Sequence, residues 1–137
     1  MQLFDSRTGV ETIERRECLE LLAADEIGRL AIIEGGQPLI LPVNYAFDGE
    51  QVVFRTGEGS KLNASHGGQA CFEIDGFDRE QRCGWSVLVR GRLEEVTARD
   101  SEALERLRDL ADPWLGDRPS LVRLVPWVMS GRRVRPA

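Results

Sequence analysis

The sequence predicts a mainly β protein, a small antiparallel barrel with peripheral helices. Three observations lead to this prediction: about six short apolar segments typical of strands, tight-turn signals between the first of them, and only two or three segments with helical spacing. Strands joined by tight turns pair antiparallel, and evenly spaced strands in a chain of 137 residues favour closure into a barrel. The length fits a single domain over residues 1–137.

The first half of the chain alternates apolar segments with hairpin signals. Apolar residues at helical spacing predict an amphipathic helix over Ile13–Ala24. Gly35-Gly36 and Asp48-Gly49 are dipeptides that favour two-residue hairpin turns. The strands predicted around these turns are Leu30–Ile33, Leu39–Phe47 and Val52–Arg55.

The second half begins with a short helix at Lys61–His66 and then continues in strands. Gly91 lies inside the longest apolar segment, where a glycine indicates a bulge or a bend. Thr97 is a candidate N-cap for a helix with leucines on one face. The predicted strands of this half are Gln69–Asp75, Gly84–Val96 and Leu121–Val128.

Composition excludes several classes of function. A net charge of -5 and a pI near 5.0 argue against a nucleic-acid surface, which needs a concentrated basic face. No apolar run approaches the roughly 18 residues of a membrane span, and the N-terminus lacks the pattern of a signal peptide. The three cysteines are widely spaced and indicate neither a disulfide framework nor a zinc site. We therefore expect a cytoplasmic protein without nucleic-acid or membrane partners.

The segment Arg55-Thr56-Gly57-Glu58-Gly59-Ser60-Lys61 is the strongest candidate for a binding site. It follows an apolar strand, so cations, hydroxyls and glycines meet at a strand-to-helix corner. Backbone N–H groups at such a corner converge on an anion, the glycines allow close approach, and Lys61 adds a point charge. Ser60 as an N-cap would aim the positive end of the short helix at the same place. The pattern indicates either a phosphate site or a solvated basic turn.

Three other segments contain side chains whose role can be interpreted in two ways. Pro42-Val43-Asn44-Tyr45 introduces polar groups into an apolar strand, where they either meet a ligand or face solvent. Trp85 in Trp85-Ser86 either covers a planar ring or packs in the core. Gly131-Arg132-Arg133 is either a solvated cluster or an anion contact. His66 is the sole histidine and has no partner at a catalytic spacing, so the sequence leaves the catalytic residues unidentified and predicts no metal site.

Four segments, in this order and spacing, resemble the flavin-binding split-barrel proteins of the pyridoxamine 5′-phosphate oxidase superfamily. They are Gly28–Ala31, Leu41–Tyr45, Val53–Lys61 and Gly84–Gly91. The likeness covers most of the chain, from about Ile13 to Val96. It implies a six-stranded antiparallel split β-barrel of the FMN-binding type.

The resemblance also implies a homodimer with FMN in the clefts between its subunits. Thr56, Ser60 and Lys61 would contact the FMN phosphate, and Arg55 would lie beside it or against the ring system. The strand from Pro42 would run along the isoalloxazine, and the strand from Trp85 would reach the flavin from the same or the partner subunit. The implied cofactor-binding residues are Pro42, Val43, Asn44, Tyr45, Arg55, Thr56, Gly57, Ser60, Lys61, Trp85 and Ser86.

The chain differs from the oxidase at several positions, and these differences restrict the activity that the resemblance implies. The oxidase has an aromatic residue where Arg55 stands, an Arg-Lys pair where Lys61-Leu62 stands, and a C-terminal vitamin-recognition region that this chain lacks. The chain looks more like the shorter, nitroimidazole-reductase-like branch than like a true pyridoxamine 5′-phosphate oxidase. The expected function is an FMN-dependent oxidoreductase that passes electrons or hydride from reduced nicotinamide to a small-molecule acceptor. The alternatives are a deazaflavin-dependent reductase and a non-catalytic flavin or haem carrier or sensor.

Overall fold

The computed structural model describes residues 4–5, 9–57, 66–97, 99–107 and 120–136, which form one curled antiparallel sheet with two helices. Neither described helix is long and apolar enough to cross a membrane. The helices are α1 (Arg15–Ala24) and α2 (Ser101–Leu107). The strands are β1 (Phe4–Asp5), β2 (Val10–Ile13), β3 (Ile27–Glu34), β4 (Gln37–Asn44), β5 (Ala46–Phe47), β6 (Val52–Thr56), β7 (His66–Asp78), β8 (Cys83–Val96) and β9 (Ser120–Val134).

Strand β9 organises the sheet because it pairs along both of its edges. The main path runs β1-β2-β9-β8-β7-β3-β4, and β6 pairs with both β5 and β9. One edge of β9 follows β8 from Leu121 to Val134. Its other edge pairs with β6 at Ser120–Leu124 and with β2 at Gly131–Val134. Two distant parts of the chain therefore meet opposite ends of one long strand.

The mainly β, split-barrel prediction is confirmed. The six predicted strands correspond to β3, β4, β6, β7, β8 and β9, and the structure adds three short ones. Both predicted hairpins are present: Gly35 and Gly36 have φ of 56° and 78°, and the Asp48 side chain accepts hydrogen bonds from Glu50 and Gln51 N–H groups at 2.8 and 2.6 Å. Among the described strands β4 pairs only with β3, so the sheet is split rather than closed as the strand spacing had suggested.

Alternation along β7 and β8 builds the core. Phe72, Ile74, Val87 and Val89 have no exposed surface and pack with the buried face of α1. The backbone of Gly28 approaches this core so closely that a Cβ there would lie 2.2 Å from the Phe72 ring. Burial of this apolar face supplies most of the driving force for folding.

Several predicted boundaries were wrong because strand pairing extends past local turn signals. His66 begins β7 rather than ending a helix, and residues 58–65 lie outside the described residues. Strand β7 also continues through Gly76 to Asp78, where its partners on β8 hold it in the ladder. Arg132 and Arg133 of the predicted basic cluster belong to β9, because β2 and β8 pair with them. After Thr97, a turn closed by the Asp100 N–H precedes α2, which begins at Ser101.

Candidate functional site

The outer face of strands β7, β8 and β9 carries a polar groove of about 510 Å³. Because side chains alternate along a strand, this face holds the residues between the buried core positions. The volume lies within the range of pockets that bind small molecules. The groove is lined by Glu73, Ser86, Leu88, Arg90, Val128, Ser130 and Arg132.

The polar groove is positively charged within an acidic chain. Among the described residues, no ion pair joins Arg90 or Arg132 to a carboxylate. The single acid of the lining, Glu73, is held by Arg29, whose Nη1 lies 3.2 Å from Glu73 Oε1 and 3.1 Å from Asp75 Oδ2. Burial, and then the neighbouring Asp75, raise the pKa of Glu73 above its usual range, and these effects outweigh the lowering by Arg29. Two guanidinium groups and two hydroxyls thus remain to receive an anion.

A second, more apolar groove of about 470 Å³ adjoins the first, because Arg90 and Val128 line both. Ile33 and Trp127 also line it, and 62% and 56% of their surfaces are exposed. An indole exposed to this degree on a concave surface is available to contact a ligand. We call the two adjoining grooves together the outer-face groove.

A β-bulge places Trp127 in this groove. Arg90 pairs with Val128 and Gly91 pairs with Pro126, so Trp127 is the additional residue on β9. A Cβ at Gly91 would lie 2.1 Å from the Val125 carbonyl oxygen, so only glycine allows this approach. Pro126 lacks an N–H, and prolines within sheets are found at edges and bulges. Bulges re-aim side chains, and this one confirms the bulge that Gly91 predicted.

The predicted strand Pro42–Tyr45 divides between the two faces of the sheet. Pro42 pairs with Arg29, which in turn pairs with Glu73, so Pro42 shares the outer face with the polar groove, as does Asn44 two residues later. Val43 and Tyr45 instead lie in the core, 6% and 5% exposed.

Tyr45 is held in the core by both its ring and its hydroxyl. The ring packs edge-on against Phe72 with centroids 4.8 Å apart. The hydroxyl donates to the Leu22 carbonyl oxygen at 2.7 Å. Burial raises the pKa of Tyr45 well above its ordinary value, so the phenol keeps its proton. The Tyr45 hydroxyl is therefore already hydrogen-bonded to α1 of the same chain.

The predicted pair Trp85-Ser86 also divides between the faces. Ser86 lines the polar groove. Trp85 is partly buried, packs against the core, and approaches Gly76 so closely that a Cβ there would lie 2.7 Å from its Nε1. Of these two tryptophans, Trp127 rather than Trp85 presents its ring to the outer-face groove.

The predicted phosphate corner begins at the end of β6. Arg55 and Thr56 are the last two residues of the strand, Thr56 is 3% exposed, and Gly57 follows. Ser60 and Lys61 lie outside the described residues. Thr56 pairs with Ser120 and Ser86 pairs with Arg132, and these two partners lie twelve residues apart on β9. At about 3.3 Å per residue, roughly 25 Å of strand separates Ser120 from Val128, where the groove lining on β9 begins, and roughly 40 Å separates it from Arg132.

Sequence reasoning did not single out Arg90 or Trp127, and it weighed Arg132 only as part of a basic cluster. The available signal was the presence of two residues that are unusual within strands, Gly91, which lacks a Cβ, and Pro126, which lacks an N–H. Their pairing across β8 and β9 shows that they belong to one bulge. Without that pairing, nothing in the local sequence indicates that Trp127 faces outward beside Arg90.

Comparison with known proteins agrees with the fold. The family model for pyridoxamine 5′-phosphate oxidase matches residues 14–133. An uncharacterized protein of Mycobacterium tuberculosis is 31% identical over 132 residues, 91% of this chain and 86% of that protein. An FAD-binding protein of Mycobacterium smegmatis has a TM-score of 0.71 and 31% identity, with 90% of this chain and 99% of that chain covered. An FAD-binding protein of Mesorhizobium loti has a TM-score of 0.69 and 26% identity, with coverages of 91% and 98%. The chain therefore belongs to the pyridoxamine 5′-phosphate oxidase family.

Proposed function

We propose that this protein binds a flavin nucleotide and acts as an oxidoreductase, passing electrons or hydride from reduced nicotinamide to a small-molecule acceptor. The observation that carries the proposal is the likeness to the FAD-binding protein of Mycobacterium smegmatis, which covers 99% of that chain at 31% identity. A flavin supplies the redox chemistry, and the protein supplies binding, orientation and electrostatics.

The residues of the phosphate corner fit the phosphate of such a cofactor. Thr56 offers a hydroxyl in a buried position, Arg55 adds a guanidinium, and Gly57 lets the backbone come close. Pro42 and Asn44 lie on the outer face of the sheet, where the resemblance implies contacts to the ring, and Ser86 lies on the same face, where it implies a contact to the flavin. The donor set suits a ligand that is anionic at one end and flat at the other.

The separation of these two groups supports a homodimer with the flavin between subunits. Roughly 25 to 40 Å of strand lies between the phosphate corner and the lining of the polar groove, which favours a site where one subunit supplies the corner and its partner the groove. Exposed apolar side chains on the outer face, including Ile33 and Ile40 at 62% and 66% exposure, offer contact area for that subunit. The proposed assembly is a dimer with two equivalent flavin sites.

We take FAD as the form of the flavin. The solved structures from Mycobacterium smegmatis and Mesorhizobium loti, at 31% and 26% identity, are both of FAD-binding proteins, and this chain covers them almost completely. This sequence differs from the oxidase pattern, which implied FMN, at Arg55 and at Lys61-Leu62. The expectation of FMN stays a prediction, and the flavin released from the purified protein distinguishes the two.

The test is purification of the full chain, followed by its visible absorption spectrum and mass spectrometry of the released cofactor. We expect flavin bands, and we expect Thr56→Val to weaken flavin binding about ten-fold by removing one hydrogen bond to a charged phosphate. Thr97→Val is the matched control, because Thr97 is an exposed threonine just after β8 that is not among the predicted cofactor-binding residues. A colourless protein that binds neither added FMN nor added FAD contradicts the proposal.

Turnover is tested separately from binding. The flavin-loaded protein is expected to oxidise reduced nicotinamide and to pass the electrons to a dye acceptor. Bound flavin without turnover would indicate a carrier or sensor instead of an oxidoreductase. Preference for a deazaflavin over FAD and FMN would indicate a deazaflavin-dependent reductase, and a haem band in the spectrum would indicate a haem carrier or sensor.

A further inference from the structure

The outer-face groove combines two surfaces that suit different parts of one ligand. Its polar half contains Arg90 and Arg132 with the hydroxyls of Ser86 and Ser130. Its apolar half contains Trp127. Arg90 lines both halves, so an anion held there lies next to the indole.

The polar half suits a phosphate. Neither arginine forms an ion pair with a carboxylate among the described residues, and the one acid of the lining is already engaged by Arg29. Arginine presents donors in a fixed fork that matches phosphate oxygens, and serine hydroxyls complete the coordination of such a group. The chain has a net charge of -5, but two available guanidinium groups make the groove locally positive, so it attracts anions.

The apolar half suits a flat ring. Trp127 is 56% exposed, and the bulge that turns it outward depends on Gly91 and interrupts the ladder between β8 and β9. Hydrophobic burial alone would place an indole on the inner face, so its position beside Arg90 is maintained by the backbone. Aromatic side chains next to arginines stack on nucleobases.

We propose that the outer-face groove binds the adenylate half of a dinucleotide, with its phosphate between Arg90 and Arg132 and its adenine against Trp127. The inference rests on the proposed function and extends it. FAD carries a phosphate and an adenosine that FMN lacks, and reduced nicotinamide adenine dinucleotide (NADH) carries the same group. If FAD is the source, the first phosphate lies at the corner of one subunit and the adenylate in the groove of its partner.

The test compares dissociation constants of the full-length protein for FAD and FMN. Wild type is expected to bind FAD at least about ten-fold more tightly than FMN. Arg90→Gln and Arg132→Gln are each expected to lower FAD affinity about ten-fold and to change FMN affinity less than about two-fold. Trp127→Ala is expected to act in the same direction, with Trp127→Phe restoring most of the affinity because the ring is retained.

Arg16→Gln is the charge-matched control, because Arg16 is exposed on α1 and pairs only with Glu20 at 3.6 Å among the described residues. Equal losses of FAD and FMN affinity in the arginine variants would assign the groove to the shared phosphate and overturn the adenylate assignment. Variants that change affinity for NADH but not for FAD would identify the nicotinamide dinucleotide as the source. Unchanged affinities for all three ligands would overturn the inference altogether.

A titration with AMP alone separates this inference from the proposed function. In a proton–nitrogen correlation spectrum, AMP is expected to shift the indole N–H signal of Trp127, and Arg90→Gln is expected to abolish the shift. This result would support the groove even if wild type bound no flavin. An AMP titration that leaves the Trp127 signal unchanged in the flavin-free protein, together with unchanged dinucleotide affinities, would refute it.

Discussion

Strands β7 and β8 present two faces with opposite roles, and successive residues alternate between them. On the inner face, Phe72, Ile74, Val87 and Val89 have no exposed surface. On the outer face, the neighbouring positions carry carboxylates, hydroxyls and arginines that line a groove. The same backbone thus stabilises the barrel on one side and offers ligand chemistry on the other. Substitutions on the inner face should therefore affect folding, and those on the outer face should affect binding.

The largest expected effect is loss of stability on the inner face. Phe72→Ala is expected to lower the free energy of unfolding by about 3–5 kcal/mol, because it removes a fully buried ring and leaves a cavity. Leu88→Ala on the outer face of β8 is expected to cost less than about 1 kcal/mol, because that side chain is only partly buried. Denaturant unfolding measures both, and equal costs would contradict the division between the faces.

Gly91 connects the two faces, because it permits the bulge. Gly91→Ala is expected to cost about 1–3 kcal/mol of stability, since the added Cβ would lie 2.1 Å from the Val125 carbonyl oxygen and the strands must shift. It is also expected to weaken FAD binding by displacing Trp127. Trp127→Ala should change stability by no more than about 0.5 kcal/mol, because the indole is exposed. If Gly91→Ala leaves both thermal stability and FAD affinity unchanged, the bulge does not depend on this glycine.

Tyr45 and Ser86 are both predicted site residues, and the structure places them on opposite faces. Tyr45→Phe is expected to cost about 1–2 kcal/mol, because the buried Leu22 carbonyl loses its hydrogen-bond donor, while flavin affinity stays unchanged. Ser86→Ala is expected to do the reverse, with little loss of stability and weaker ligand binding. Paired unfolding and binding measurements on the two variants check this; weaker flavin binding by Tyr45→Phe at unchanged stability would support the predicted contact between Tyr45 and the cofactor.

The smallest expected effect concerns Glu94, whose carboxylate contacts Arg92 and Arg123. The Arg92 hydrogen bond, followed by those of Arg123, lowers the pKa of Glu94 below its ordinary 4.5. A carboxyl group with a lowered pKa in the folded state stabilises the protein above 4.5, and this contribution is lost as pH falls through the lowered value. Because the Glu94 side chain is partly exposed, at 28%, and water partly screens its ion pairs, Glu94→Gln should cost under about 1 kcal/mol at neutral pH.

Unfolding of wild type and Glu94→Gln across the acid range measures this contribution. The difference between them should be constant near neutral pH and should vanish in strong acid, where both side chains are uncharged. A difference that grows as pH falls would contradict the lowered pKa.

Much of the fold was readable from local patterns. The two hairpin dipeptides and the apolar alternation predicted all six main strands, because turn preference and period-two burial are properties of short segments. The ends of β7 and β9 could not be predicted from the local sequence. Gly76 and Arg132 look like loop or tail residues locally, and only cross-strand partners keep them in the sheet.

The candidate site was readable only in part. The predicted phosphate corner is contiguous in sequence, so its composition alone was sufficient for the prediction. The outer-face groove combines side chains from several strands, and its central residues Arg90 and Trp127 have no local signal. The choice between Trp85 and Trp127 depends on which face of the sheet each ring occupies.

The sequence by itself indicated the family, the strand order along the chain and the hairpins, and it predicted the phosphate corner at Arg55–Lys61, because each has its signal in short segments of the chain. The tertiary structure alone decided which predicted residues share a surface. Pairing across β4, β3, β7, β8 and β9 brought Pro42, Ser86, Arg90 and Arg132 to one face, and it left Thr56 opposite the other end of β9. The physical reason is that register between strands, set by burial of the inner face, determines what the outer face presents.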